Sequence, residues 1–126
     1  MEPVTVLDPE EGVAIDHDRM GDLFTQLGPT MADSVLSRSI EEVSIRICKV
    51  EAAYRKDDIA AVGRLARGLV AIADQIGMTT LARVANDVST CAHRGEPNAL
   101  AATVARLGRI GDRSLTAVWD LQGMTI

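Results

Sequence analysis

Apolar residues recur at steps of three and four along most of the chain, the spacing that gathers them on one side of an α-helix. Met20, Leu23, Phe24 and Leu27 predict a short first helix from about Asp16 to a stop at Gly28-Pro29. Thr30 or Gly28 opens a second helix, with Met31, Val35, Leu36, Ile40, Val43, Ile47, Val50 and Tyr54 in a single stripe. It ends near Arg55-Lys56, where basic charge suits a helix C-terminus. Asp58 is the expected N-cap of a third helix with the stripe Val62, Leu65, Leu69, Ile72, Ala73 and Ile76, closed by Gly77. A fourth begins at Thr79 or Thr80 and carries Leu81, Val84, Val88 and Cys91 until Arg94-Gly95-Glu96-Pro97 breaks it. Asn98 is expected to cap a fifth, through Leu100, Val104, Leu107, Ile110, Leu115, Val118 and Leu121 toward Gly123. Gly108 and Gly111 interrupt this last pattern, where they bend the helix or admit a neighbour.

Short connections between long amphipathic helices make successive helices antiparallel neighbours. The expected fold is therefore all-α: an up-and-down antiparallel four-helix bundle with a short N-terminal capping helix. Residues 1–14, with Pro3, Pro9, Gly12 and four acids, read as a flexible acidic arm, leaving 15–126 as the bundle. Composition agrees, because one Phe, one Tyr and one Trp in 126 residues leave the core to Leu, Val, Ile, Met and Ala. The net charge of −5 is uneven: through Asp22 seven acids face Arg19 alone (−6), so twelve bases against eleven acids leave the rest at +1. A nearly neutral body without a basic run or stacking aromatics argues against nucleic acid as a partner. No apolar run approaches a membrane span, so no membrane role is expected. Two cysteines, too few for a disulfide framework, and a start unlike a signal peptide fit a cytoplasmic protein.

The stretch Ala66 to Leu81, Ala-Arg-Gly-Leu-Val-Ala-Ile-Ala-Asp-Gln-Ile-Gly-Met-Thr-Thr-Leu, resembles the phosphoacceptor helix and following turn of histidine phosphotransfer (HPt) domains. In that family an Ala-His pair is followed by an apolar residue, a Lys and a Gly, and a turn glycine lies ten positions after the histidine. Ala66, Leu69, Ala73, Ile76, Gly77 and Leu81 match. The three chemically active positions do not: Arg67 replaces the histidine, Val70 the lysine and Ala71 the glycine. More loosely, the likeness runs from about Ile15 to Trp119. Phosphoryl transfer needs a ring nitrogen with a free lone pair, which neutral imidazole offers. A guanidinium offers none and stays a cation. The resemblance thus implies an HPt-like module that has lost its acceptor and still docks a response-regulator receiver domain or a histidine kinase.

At about 100° per residue, Arg67 falls opposite the Leu65–Leu69–Ile72–Ile76 stripe. Ala60, Gly63, Arg64, Ala71 and Asp74 share its outward side, with Val70, an apolar residue without a core role, at the edge. This small, weakly basic face is the expected docking surface; the plainer reading is a solvated face with alanines chosen for helix propensity. A self-associating structural bundle, a homodimer packed through Ala60, Gly63, Arg67 and Ala71, is a further alternative. A third is active phosphotransfer through a displaced histidine, His93, although its place at a helix end suits plain dipole capping. His17, between Asp16 and Asp18, lacks a convergent ligand set and suits a helix start. Cys91 reads as a core residue and Cys48 as an off-stripe one. No Gly-rich phosphate loop, nucleophilic triad, paired-carboxylate site or Cys-x-x-Cys occurs. The expectation is a protein that is not an enzyme and takes no metal or cofactor.

Overall fold

The computed structural model describes residues 12–124. Most of the acidic arm, residues 1–11, and the side chain of Leu121 lie outside the described part. Five α-helices follow one another, α1 (His17–Leu27), α2 (Pro29–Arg55), α3 (Ile59–Gln75), α4 (Thr79–Arg94) and α5 (Pro97–Met124), with no strand among the described residues. The class is all-α. None of these helices is long and apolar enough to cross a membrane.

Local chemistry sets most helix ends where the sequence places them. The Asp16 carboxylate accepts from the Arg19 N–H at 3.0 Å, and that of Asp58 from the Ala61 N–H at 3.2 Å, each satisfying a donor that a helix start leaves unpaired. Gly28, at φ 82°, ends α1 and starts α2, with Pro29 in the first helical position, where its missing N–H costs nothing. Gly95 closes α4 in the left-handed conformation. The fifth helix differs from expectation: it begins at Pro97, so Asn98 lies within the first turn and is not its cap. Proline pre-sets the helical φ there and displaces the polar cap.

The helices pack as a cycle, α2 on α3, α3 on α4, α4 on α5 and α5 on α2, with α1 against α2. A shared core of Leu36, Val43, Val50, Val62, Leu69, Leu81, Val84, Val88, Leu107 and Ile110, each almost fully buried, runs through them. Each such side chain contributes about 1.5–3 kcal/mol. Two stripe assignments shift. On α2 the buried residue of the first turn is Ala32, whereas Met31 is 58% exposed. On α3 the buried line is Val62–Ala66–Leu69–Ala73, with Leu65 and Ile72 only partly covered. Alanine at the centre lets the neighbouring helices come close, which turns the larger flanking residues toward the edges. Gly111 is buried, and a β-carbon there would meet the Ile47 Cδ1 at 2.5 Å, while one at Gly108 would lie 2.8 Å from the Glu51 carboxylate. These glycines admit α2 side chains.

Helices of 27 and 28 residues extend about 40 Å, and those of 17 and 16 only about 25 Å. The segment leading into α1 is tied to the turn that joins the two short helices. The Asp16 N–H donates to the Gly77 carbonyl at 2.7 Å, the Ala14 N–H to the Thr80 Oγ1 at 2.8 Å, and the Thr79 hydroxyl to the Ala14 carbonyl at 3.1 Å. Val13 packs on the core, so this end of the arm is anchored.

Gly77 is required twice over. Its φ is +82°, and a β-carbon would lie 2.8 Å from the Asp16 carbonyl oxygen. Gly95 also has positive φ, but a β-carbon there meets nothing within 4 Å. Gly95→Ala is expected to cost about 1–2 kcal/mol from backbone conformation alone, and Gly77→Ala more than that, because a backbone carbonyl must also move. Urea denaturation of the two variants measures the difference; equal midpoints would contradict the contact with Asp16.

Candidate functional site

The α3 surface follows from where its small residues fall. Relative to the buried line, one flank carries Gly63, Arg67, Val70 and Asp74 and leans toward α4; Ala60, Arg64 and Ala71 point most directly outward; Gly68 lies on the flank toward α2. Ala60, Arg64, Arg67, Ala71 and Asp74 are exposed, and Gly63 and Val70 are partly covered. Val70 corrects the reading of it as an apolar residue without a core role, because it packs against the core at the helix edge. Asp74 is not free either: its carboxylate lies 3.9 Å from the Arg19 guanidinium of α1, an exposed pair of the kind that contributes about 0–1 kcal/mol.

Between α3 and α4 lies an open groove of about 490 Å³. It exists because the floor is small: a β-carbon on Gly63 would sit 3.4 Å from the Ala92 Cβ, so the helix backbones approach closely there and leave a trough above. Arg64 and Arg67 line it from α3, and Ser89 and His93 from α4. The two arginines are three residues apart and therefore neighbours on one helix face. Sequence spacing places His93 on a separate helix at an uncorrelated position, yet the fold brings it to the same groove as Arg67. The side chains of Arg64, Arg67 and His93 make no ion pair or hydrogen bond with the described residues.

One residue that sequence reasoning missed shapes the opposite flank. Arg46 of α2 bonds the Glu42 carboxylate at 2.8 Å, and its guanidinium lies over Gly68, where a β-carbon would meet Nη1 at 2.6 Å. The signal was present as a Glu-to-Arg pair at i, i+4, but its contact with α3 depends on the packing of two helices.

The remaining candidates are placed plainly. His17 is exposed in the first turn of α1, and no group of three or more potential metal ligands occurs among the described residues. Cys48 is exposed and Cys91 partly buried against the core; both are free thiols. Imidazole, hydroxyl and guanidinium groups in the α3–α4 groove can bind an anion by charge and by N–H and O–H donation. Arg67 itself has no lone pair with which to take up a phosphoryl group.

No family model, curated protein or solved structure matches the chain.

Because Arg64 and Arg67 are exposed and unpaired among the described residues, Arg64→Glu and Arg67→Glu are expected to leave the unfolding free energy within about 0.5 kcal/mol of the natural chain. Thermal or urea unfolding checks this. A larger loss would show that these side chains support the fold, and would disqualify them as clean probes of binding.

Proposed function

We propose that the chain is a non-catalytic interaction module: an up-and-down four-helix bundle of HPt-like arrangement that docks a response-regulator receiver domain or a histidine kinase through the outer face of α3 without carrying phosphate. The observation that carries this reading is the position of Arg67. It stands exposed on α3, at the place that the resemblance gives to the acceptor histidine, with small or polar residues around it. Cyclic packing of α2 to α5, with α1 bonded to the α3–α4 turn, supports the bundle arrangement.

A docking arginine works through charge and hydrogen-bond geometry. Placed against carboxylates and shielded from water, it couples far more strongly than the same pair exposed: about 1.5–7 kcal/mol against about 0–1. Receiver domains and kinases from the source organism are the partners to test. Binding to at least one is expected, with Arg67→Glu weakening it about tenfold or more, equivalent to about 1.4 kcal/mol. Absence of binding across the set, or binding indifferent to Arg67→Glu, overturns the reading.

A second reading rests on His93, which lines the same groove as Arg67. Here an imidazole nitrogen of His93 attacks the phosphorus of a phosphorylated receiver aspartate or kinase histidine. The P–O or P–N bond to the donor breaks, the donor leaves with its electron pair, and the His93 ring proton goes to solvent. Acid-labile label on the natural chain, lost in His93→Ala, would favour this reading over non-catalytic docking.

Restoration tests the position of Arg67 directly. The triple change Arg67→His, Val70→Lys, Ala71→Gly rebuilds an outward imidazole with a neighbouring cation. The glycine costs about 0.5–1 kcal/mol in a helix, and the stem of the new lysine covers part of the surface that Val70 now covers. A folded variant is expected to accept phosphate from a phosphorylated receiver while the natural chain does not. A folded variant that stays unlabelled by several receivers counts against the HPt assignment.

A further inference from the structure

Four surface grooves differ in the sign of their charge. Beside Gly12 and Val13, Arg109 and Arg113 share a groove with Asp112 and Asp120. In the α2–α5 groove Arg109 lies with Glu51 and Asp112, and in a groove that shares Ile59 with the α3–α4 groove Arg55 lies with Asp57 and Glu96. The α3–α4 groove alone of these four has no carboxylate in its lining: its charged residues are Arg64 and Arg67, with the imidazole of His93 across from them. This concentration of one sign stands in a chain of net charge −5.

We propose that the α3–α4 groove is the seat of an acidic polypeptide segment of a protein partner, whose carboxylates reach Arg64 and Arg67 while its backbone lies over Gly63 and Ala92. The proposal rests on the reading of α3 as a docking face and states the chemistry of what docks. Charge complementarity selects carboxylates. Shape selects a segment over a small anion, because the lining runs from Ile59 to Arg67, about 12 Å along α3, longer than a single phosphate spans. The small floor residues let a backbone approach closely, and the two arginines at successive steps along one face meet carboxylates spaced along a chain. Such a contact weakens as salt screens it.

The test titrates the isotope-labelled full-length chain with a polyglutamate peptide at low ionic strength and, separately, with inorganic phosphate. The expected result is saturable shifts of the Gly63, Arg67, Ala92 and His93 amides with the peptide, and much weaker binding of phosphate. The double variant Arg64→Glu, Arg67→Glu is expected to weaken peptide binding about tenfold or more, while Arg109→Glu, in a groove of mixed sign, changes it less than about twofold. Shifts centred elsewhere, or equal losses in the two variants, overturn the proposal as general charge attraction. Phosphate binding as tightly as the peptide overturns it in favour of a small-anion site. Receiver binding that persists in a chain with no affinity for polyglutamate also overturns it and leaves the docking reading standing; peptide binding without any receiver binding does the reverse.

Discussion

The close approach of α3 and α4 is the constraint on which the rest of the molecule depends. It is set by alanine and glycine: Ala66, Ala73 and Ala85 are wholly buried, and a β-carbon on Gly63 would be in van der Waals contact with the Ala92 Cβ, at 3.4 Å. Small side chains bury little area each, so they stabilise less per residue than leucine. What they supply is proximity, which lets Val62, Leu69, Leu81, Val84 and Val88 be wholly buried around them. The same proximity requires a tight reversal between the helices, hence Gly77 at positive φ, and that reversal presents the carbonyl to which Asp16 bonds. The placing of α1 is thus a consequence of how closely two other helices pack.

Helix number and helix ends were legible in the sequence because their causes are local. Asp16, Asp58, Gly28 and Gly95 act on donors, acceptors and dihedral angles within a few residues of themselves. Asn98 misled because two local rules competed, a polar cap against proline at the first helical position, and only the chain path through Pro97 decides between them. The face assignments were less accurate. Hydropathy ranks Leu65 and Ile72 above Ala66, whereas burial on α3 ranks the alanine first, since the helix centre line belongs to whatever lets its partners closest.

The candidate site was legible in halves. Periodicity placed Ala60, Arg64, Arg67 and Ala71 outward on α3, where they are. It could not join them to His93, because the register of α3 against α4 is a tertiary quantity, set by the turn at Gly77 and by how the two helices pack. Two residues weighed separately, one as a lost acceptor and the other as its substitute, prove to share one groove. Val70 fails for the complementary reason: an edge position on a helical wheel is core or surface according to how near the next helix lies.

Groups that contribute little to folding carry the most information about binding. Arg46 is accounted for by Glu42 and by the space over Gly68, and Arg19 by Asp74. Arg64 and Arg67 have no such partner among the described residues and cap no helix end. Both are exposed, and an exposed charge gains much from an opposite one only where water between the two is displaced. The residue type on such a face limits the kind of work that the face can do. Imidazole can make and break a bond to phosphorus, whereas guanidinium can only hold, and the two differ in that respect whatever the rest of the helix looks like.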